Sequence, residues 1–159
     1  MSLTEAYLDK LMRDARSQQW MGYDPYDGLN SRVFRTLGLN HSAWMRLAWI
    51  QFFKRSAINL RPVLGVPKGF NPKAGALFLS GMVLRSKRDS SQMGICKELL
   101  DLLKRDVIRT RSGMGWGYNF DWQAKAFYVP RGTPNTVTSI YVGNALLDYY
   151  QATRDESVV

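Results

Sequence analysis

The chain has 159 residues, of which 45% are apolar, and this size and apolar content are typical of one globular domain spanning residues 1–159. The 22 Lys and Arg residues against 13 Asp and Glu give a net charge of +9, but the basic residues are scattered at positions typical of solvated helix faces, so we do not expect a nucleic-acid partner. One cysteine excludes an intramolecular disulfide and one histidine excludes a two-histidine zinc site, and we predict neither a metal nor a cofactor.

No segment of the sequence has the pattern of a targeting or membrane-spanning element. The apolar runs fall short of the roughly 20 residues that cross a bilayer, and the first residues lack the basic-then-apolar order of a secretion signal. We therefore predict a soluble, cytoplasmic protein without a membrane span.

The first part of the chain predicts two helices joined by a loop of turn-forming residues. Ser2 and Glu5 stand at capping-box spacing, and apolar residues then recur at helical intervals to about residue 19. The loop GYDPYDGLNS follows, in which Asp24 and Asp27 suit turns or helix caps. Ser31 is then placed to cap a short helix.

A third helix is predicted after Ser42, which is a suitable N-cap. Its residues are apolar on nearly every side, and a helix of this kind is normally buried on more than one side. We therefore expect Trp44 and Trp49 to lie in the core.

Three further helices are predicted in the rest of the chain. Asn71 and Pro72 form an N-cap and first-turn pair, and another helix covers about residues 92–109. The last helix is capped by Asn135, Thr136 or Thr138 and carries apolar residues along one side: Ile140, Tyr141, Leu147 and Tyr150. The tail, residues 155–159, is predicted to be frayed. No strand alternation is evident, so the predicted fold class is all-α with about six helices.

Residues 113–136, GMGWGYNFDWQAKAFYVPRGTPNT, are the part of the sequence that most resembles a binding site. Six aromatic residues lie among glycines and prolines, with Asp121 and Gln123 between adjacent aromatics. This segment is too rich in turn formers for a helix and too aromatic for a solvated loop. Rings interleaved with hydrogen-bonding groups suit a polyhydroxylated ring such as a sugar. The alternative is an ordered aromatic loop that caps a helical core.

Three segments carry a resemblance to a known family: GYDPYDGLNSRVF, LAWIQFFKRSAINLRPVLGVPKGFNPK and GWGYNFDWQAKAFYVPRGTPNTVTSIYVGNALLDYY. With the roughly even spacing of the helices, the chain resembles the N-terminal part of bacterial α/α-toroid proteins that are found with surface-polysaccharide biosynthesis genes. Those proteins are distantly similar to six-hairpin glycosidases and to prenyltransferase-like toroids. The resemblance covers nearly the whole chain.

The resemblance implies helices in antiparallel hairpins that form half of an (α/α)6 toroid, with long aromatic and glycine-rich loops at one end of a central cavity. A complete toroid has twelve helices, so the resemblance also implies that a second copy or a missing C-terminal half closes the open side. A half toroid exposes more apolar helix surface than is usual for a monomer. The residues that the resemblance places at the loop-bearing end are Asp24, Tyr26, Asp27, Trp116, Tyr118, Asp121, Trp122 and Gln123.

Two carboxylates that face a sugar would make a glycosidase-like site, one as general acid and the other as base or nucleophile. Asp121 is the first candidate and Asp27 the second, and each has the alternative of a structural role as a cap or loop anchor. If the protein is an enzyme, we expect glycosidase-like or lyase/epimerase-like carbohydrate chemistry. The predicted substrate-binding residues are Trp116, Tyr118, Trp122, Gln123, Asp24, Tyr26 and Arg61.

The function predicted from the sequence is therefore a toroid protein of polysaccharide biosynthesis that binds or processes a carbohydrate. Two other classes are considered: a non-catalytic scaffold in which the aromatic loop only packs, and a basic protein that binds nucleic acid or an anionic surface. A prenyl substrate is a subordinate possibility, which the absence of a DxDD-like acidic run disfavours.

Overall fold

The computed structural model describes residues 3–158, which form six α-helices and three short antiparallel strand pairs. The predicted capping residue Ser2 and the last residue of the predicted frayed tail lie outside the described residues. The prediction of a mainly helical protein is confirmed. The antiparallel-hairpin and toroid arrangements, and the single domain, stay predictions.

The described residues divide into two compact units, which we call unit 1 and unit 2. Unit 1 comprises the described residues up to Phe70 together with Phe120–Val129. Unit 2 comprises Asn71–Asn119 and the described residues from Pro130 onward. The aromatic segment 113–136 is thus shared between the two units, and its central ten residues belong to unit 1.

Unit 1 contains three helices, two strand pairs and two short 3-10 turns. The helices are α1 (Leu3–Ser17), α2 (Arg32–Thr36) and α3 (Ala43–Arg55). The strand pairs join β1 (Met21–Gly22) to β2 (Gly69–Phe70) and β5 (Trp122–Gln123) to β6 (Tyr128–Val129). The 3-10 turns cover Asp27–Asn30 and Leu39–His41.

The helix starts in unit 1 follow the predicted caps. Ser31 accepts the amide N–H of Phe34, and Ser42 accepts that of Met45. Gly38 ends α2 with a φ of 69°, a left-handed conformation that glycine adopts without steric cost. The core lies between these elements, where Leu29, Phe34 and Ile50 pack with Tyr26, Leu39, Trp49 and Trp122.

The buried surfaces of α1 and α3 are smaller than the apolar patterns of these helices predict. Met12 is the buried residue of α1, whereas Leu3, Tyr7, Leu8 and Leu11 are all exposed. In α3 the buried residues are Ile50 and Phe53, and the side chain of Trp44 is 81% exposed. Trp49 does reach the core, stacked on Phe34 with the ring centroids 5.1 Å apart. Apolar residues all round α3 therefore supply both a core face and an exposed face.

Unit 2 contains α4 (Pro72–Ser86), α5 (Met93–Arg105) and α6 (Thr136–Thr153). The helix α4 packs against both α5 and α6. The pair of β3 (Ile108–Thr110) and β4 (Gly113–Gly115) follows α5, and a short 3-10 turn, Glu156–Val158, occupies the tail. Asn71 and Asn135 cap α4 and α6, as predicted, by accepting the amide N–H groups of Lys73 and Thr138.

Two sequence predictions for unit 2 need correction. The helix α5 ends at Arg105 rather than near residue 109, because Ile108–Thr110 pairs with the strand that begins the aromatic segment. The buried side of α6 consists of Thr138, Val142, Ala145 and Tyr149, whereas Ile140, Tyr141 and Leu147 are exposed. The three strand pairs were not predicted, since strands of two or three residues are too short to show alternation.

Candidate functional site

The β5–β6 hairpin carries the centre of the aromatic segment and belongs to unit 1. Trp122 pairs with Val129, and Gln123 pairs with Tyr128. The amide N–H of Ala124 donates to the carbonyl of Phe127 across the turn. The buried Gln123 side chain closes the hairpin from inside, because its Nε2 donates to the carbonyls of Ala124 and Phe127 at 2.7 and 3.0 Å.

Two arginines hold this hairpin against the helices of unit 1. Arg46 of α3 donates from Nε to Oε1 of Gln123 at 2.7 Å, and its guanidinium lies 4.5 Å from the centre of the Tyr128 ring. Arg35 of α2 donates to Oδ2 of Asp121 at 3.2 Å. Both contacts join a helix to a segment more than 70 residues further along the chain, so they fix where Trp122 lies on unit 1.

Asp121, the first catalytic candidate, interacts with a side chain of α2 and with a side chain of the β5–β6 hairpin. Its side chain is 20% exposed and pairs with the more exposed Arg35. Burial raises the pKa of the Tyr128 hydroxyl, and the charge of Asp121 and the hydrogen bond that Tyr128 donates to it raise this pKa further. These contacts anchor the carboxylate to both the helix and the hairpin.

A groove with a volume of about 810 Å³ lies in unit 1 between α3 and the β5–β6 hairpin. We call it the α3–β5 groove. One side is formed by a single face of α3, and the other by the hairpin with Tyr26. Its lining residues are Tyr26, Ala43, Trp44, Leu47, Ile50, Gln51, Arg55, Trp122, Gln123, Ala124 and Lys125.

Three of the predicted site residues line this groove: Tyr26, Trp122 and Gln123. The two tryptophans and the tyrosine supply aromatic surface, while Gln51, Arg55 and Lys125 supply hydrogen-bond donors. Drug-sized and sugar-sized ligands bind in concave sites of this kind, which are largely apolar with a few convergent polar groups. No acidic residue is among the lining residues.

Asp24, Asp27 and Arg61 form a separate cluster in unit 1. Asp27 is 2% exposed, and its Oδ1 accepts from Nε of Arg61 at 2.7 Å while its Oδ2 accepts the amide N–H of Asp24. Arg61 also donates to the carbonyl of Asp24, and Asp24 accepts the amide N–H of Tyr26. Burial raises the pKa of the Asp27 carboxyl, and the hydrogen bonds and charge of Arg61 oppose that effect. The cluster ties the loop 22–31 to the loop 59–70.

The other two predicted binding residues, Trp116 and Tyr118, belong to unit 2, and both form hydrogen bonds with backbone groups of that unit. Trp116 is buried, and its Nε1 donates to the carbonyl of Leu103 at 2.8 Å. The carbonyl of Tyr118 accepts the amide N–H of Gly132. Between them, Gly117 lies so close to the carbonyl of Thr133 that a Cβ atom there would overlap with it. This half of the aromatic segment has the packing of a structural loop.

Sequence reasoning missed the residues that α3 contributes to the groove. Trp44 was assigned to the core, and Gln51 and Arg55 were not selected. Their spacing was nevertheless a usable signal, since positions 44, 47, 51 and 55 are three or four residues apart and therefore share one helix face. The sequence alone did not show that this face remains open.

A smaller groove of about 520 Å³ lies in unit 2, between α4 and the end of α6. It is lined by Val83, Leu84, Lys87, Asp148, Gln151, Ala152 and Arg154 and contains no aromatic residue. Within residues 3–158, no group of three His, Cys, Asp or Glu side chains is arranged to hold a metal ion. In the same residues, no helix combines the length and apolar character needed to cross a bilayer.

Comparisons with known proteins found no match for this chain among family models, curated proteins or solved structures.

Proposed function

We propose that unit 1 binds a carbohydrate in the α3–β5 groove. The observation that carries this proposal is the 81% exposure of Trp44 at the edge of a groove that also contains Trp122 and Tyr26. A tryptophan left in water forgoes the free energy of burying its large ring, and such residues are characteristic of binding surfaces. The apolar C–H faces of a pyranose ring pack on an indole, and the hydroxyls at its edge reach side-chain amides such as that of Gln51.

Contacts around the groove support a preformed site. Arg46 and the internal hydrogen bonds of Gln123 fix the hairpin that carries Trp122, so little ordering of this hairpin would accompany binding. Lys54 lies 5.0 Å from the centre of the Tyr26 ring and packs beside it. The resemblance to polysaccharide-biosynthesis toroids favours an oligosaccharide from a bacterial surface polysaccharide as the ligand.

The test is a titration of the whole chain with oligosaccharides, followed by intrinsic tryptophan fluorescence and by calorimetry. We expect Trp44→Ala to raise Kd by roughly tenfold, because the loss of one stacked ring is worth about 1.4 kcal/mol. Tyr7→Ala is the matched control, since Tyr7 is an exposed aromatic residue of α1 that does not line the groove. Equal Kd values for the two variants would contradict the proposal. A lack of binding to any oligosaccharide would favour the scaffold alternative.

The catalytic roles of Asp121 and Asp27 stay predictions, because neither carboxylate is among the lining residues of the groove and each is held in an ion pair. An oligosaccharide that binds can be incubated with the protein and its products followed by mass spectrometry. If the chain is an enzyme that uses Asp121, Asp121→Asn should abolish turnover while the Kd of the substrate stays within about twofold of its original value.

A further inference from the structure

We infer that the α3–β5 groove selects a carbohydrate that carries a carboxylate, such as a uronic acid, and that Arg55 and Lys125 bind the charged group. This inference rests on the proposed function and names its ligand class. Arg55 is the last residue of α3, and Lys125 lies in the turn between β5 and β6. Both side chains line the groove, and they come from two different elements, α3 and the β5–β6 hairpin.

Within the described residues, the side chains of Arg55 and Lys125 form neither an ion pair nor a hydrogen bond. Three other arginines of unit 1 differ in this respect. Arg35 is paired with Asp121, Arg61 is paired with Asp27, and Arg46 donates to Gln123. The structure therefore uses three arginines to hold its loops in place and leaves two cations unpaired at the groove.

The presence of a cation at position 55 has a second explanation, which does not apply to Lys125. Cations are favoured in the last turn of a helix because they interact with the negative end of the helix dipole, and Arg55 occupies that turn of α3. Lys125 lies in a hairpin turn, so an interaction with a helix dipole does not account for it. Two cations that line a groove with no acidic residue among its lining residues create a positive potential inside it.

The aromatic residues of the groove narrow the ligand class. An inorganic anion gains nothing from Trp44 and Trp122. An oligosaccharide that contains uronic acids has ring faces to stack on these side chains, and carboxylates on other rings along its length can reach the cations, which matters because Trp44 and Arg55 are eleven residues apart in α3. A guanidinium binds a carboxylate with two parallel hydrogen bonds, which gives Arg55 a geometric preference for this group. A neutral sugar would use the aromatic surface and leave both cations without a counter-charge.

The experiment compares two forms of one ligand, a short oligogalacturonate and the same oligosaccharide with its carboxylates methyl-esterified. Calorimetry on the whole chain at low salt gives Kd for both forms. We expect the acid form to bind roughly tenfold more tightly, because hydrogen bonds to charged groups are about twice as strong as those between neutral groups. The preference should weaken as salt is added, since both cations are solvent-accessible.

The variant Arg55→Gln/Lys125→Gln should remove most of this preference, so that the Kd values of the acid form and the methyl ester differ by less than about twofold. The matched control is Lys10→Gln/Arg13→Gln, which removes the same charge from the exposed surface of α1. An equal loss of preference in the control would assign the effect to overall charge and would overturn the inference.

The same measurements distinguish failure of this inference from failure of the proposed function. If both forms of the ligand bind equally and Trp44→Ala weakens both, the carbohydrate site stands and the selection of acids is wrong. If the acid form binds more tightly and the preference survives in Arg55→Gln/Lys125→Gln, the inference is also wrong. If neither form binds while the protein is folded by circular dichroism, both are overturned.

Discussion

The ion pair between Arg61 and Asp27 provides a sharp test of how unit 1 is held together. Its side chains are 12% and 4% exposed, and the Nε to Oδ1 distance is 2.7 Å. Replacing Arg61 by Met keeps an unbranched side chain and removes the charge. The Asp27 carboxylate would then be buried without a partner, and breaking a buried pair in this way costs about 3–5 kcal/mol of unfolding free energy at neutral pH.

The loss of unfolding free energy in Arg61→Met should depend on pH, and the direction of this dependence follows from the pKa of the Asp27 carboxyl. Burial raises this pKa, so the folded state binds the proton more tightly than the unfolded chain, and stability falls as pH rises through the interval above the ordinary aspartate value. Removing Arg61 removes its hydrogen bond and its charge, which both oppose the shift, and leaves the hydrogen bond from the amide of Asp24, so the interval extends to higher pH. More of the carboxyl is therefore protonated in the folded variant at pH 4 than at pH 7, and the destabilisation caused by Arg61→Met should be smaller at pH 4.

Urea unfolding followed by tryptophan fluorescence at pH 4 and pH 7 measures both values. Four of the five tryptophans belong to unit 1, so the signal reports mainly on this unit. In an Asp27→Asn background the effect of Arg61→Met should lose its pH dependence, because no carboxylate remains. A cost for Arg61→Met that is equal at both pH values, or larger at pH 4, would refute this account of the cluster.

Three further predictions concern stability, each measured by the same urea titration. Met12→Ala should cost about 2–5 kcal/mol because Met12 is buried, whereas Leu11→Ala, on the exposed side of α1, should change stability by less than about 0.5 kcal/mol. Gln123→Leu should cost about 1–3 kcal/mol because it leaves the carbonyl of Ala124 without this donor and Nε of Arg46 without this acceptor, and it should speed hydrogen exchange in the hairpin. Gly117→Ala should be strongly destabilising because the new Cβ overlaps a backbone carbonyl, whereas Gly81→Ala, with open space around it in α4, should stabilise by about 0.5–1 kcal/mol.

Each of these predictions has a contradicting outcome. Equal losses for Met12→Ala and Leu11→Ala would mean that α1 buries a different face. Unchanged stability and exchange in Gln123→Leu would show that the side-chain hydrogen bonds do not hold the hairpin. A Gly117→Ala protein as stable as Gly81→Ala would mean that the two backbone segments near Gly117 are not in close contact.

The helix starts were predictable because a cap is a local interaction. Ser31, Ser42, Asn71 and Asn135 each accept an amide N–H from a residue two or three positions later in the chain. Such a contact depends only on the residues of one turn, and it can be read from their order. The mainly helical class follows from the same local patterns.

The faces of the helices and the division of the aromatic segment were not predictable in this way. Which side of α3 is buried depends on where the 3-10 turn Asp27–Asn30 and the β5–β6 hairpin pack, and these elements are distant in the sequence. The sequence of 113–136 indicated turns and rings but not that Trp122 and Trp116 would belong to different units.

The candidate site shows the same contrast. The sequence by itself determined that aromatic, amide and basic residues are present and where the helices begin. The assignment of Tyr26, Trp122 and Gln123 to a ligand site stays a prediction. Only the tertiary structure decided that Trp44, Arg55 and Lys125 join them at one groove, while Asp27 and Arg61 pair with each other. The physical reason is that capping and turn formation act over a few residues, whereas burial and charge pairing depend on which distant segments meet when the chain packs.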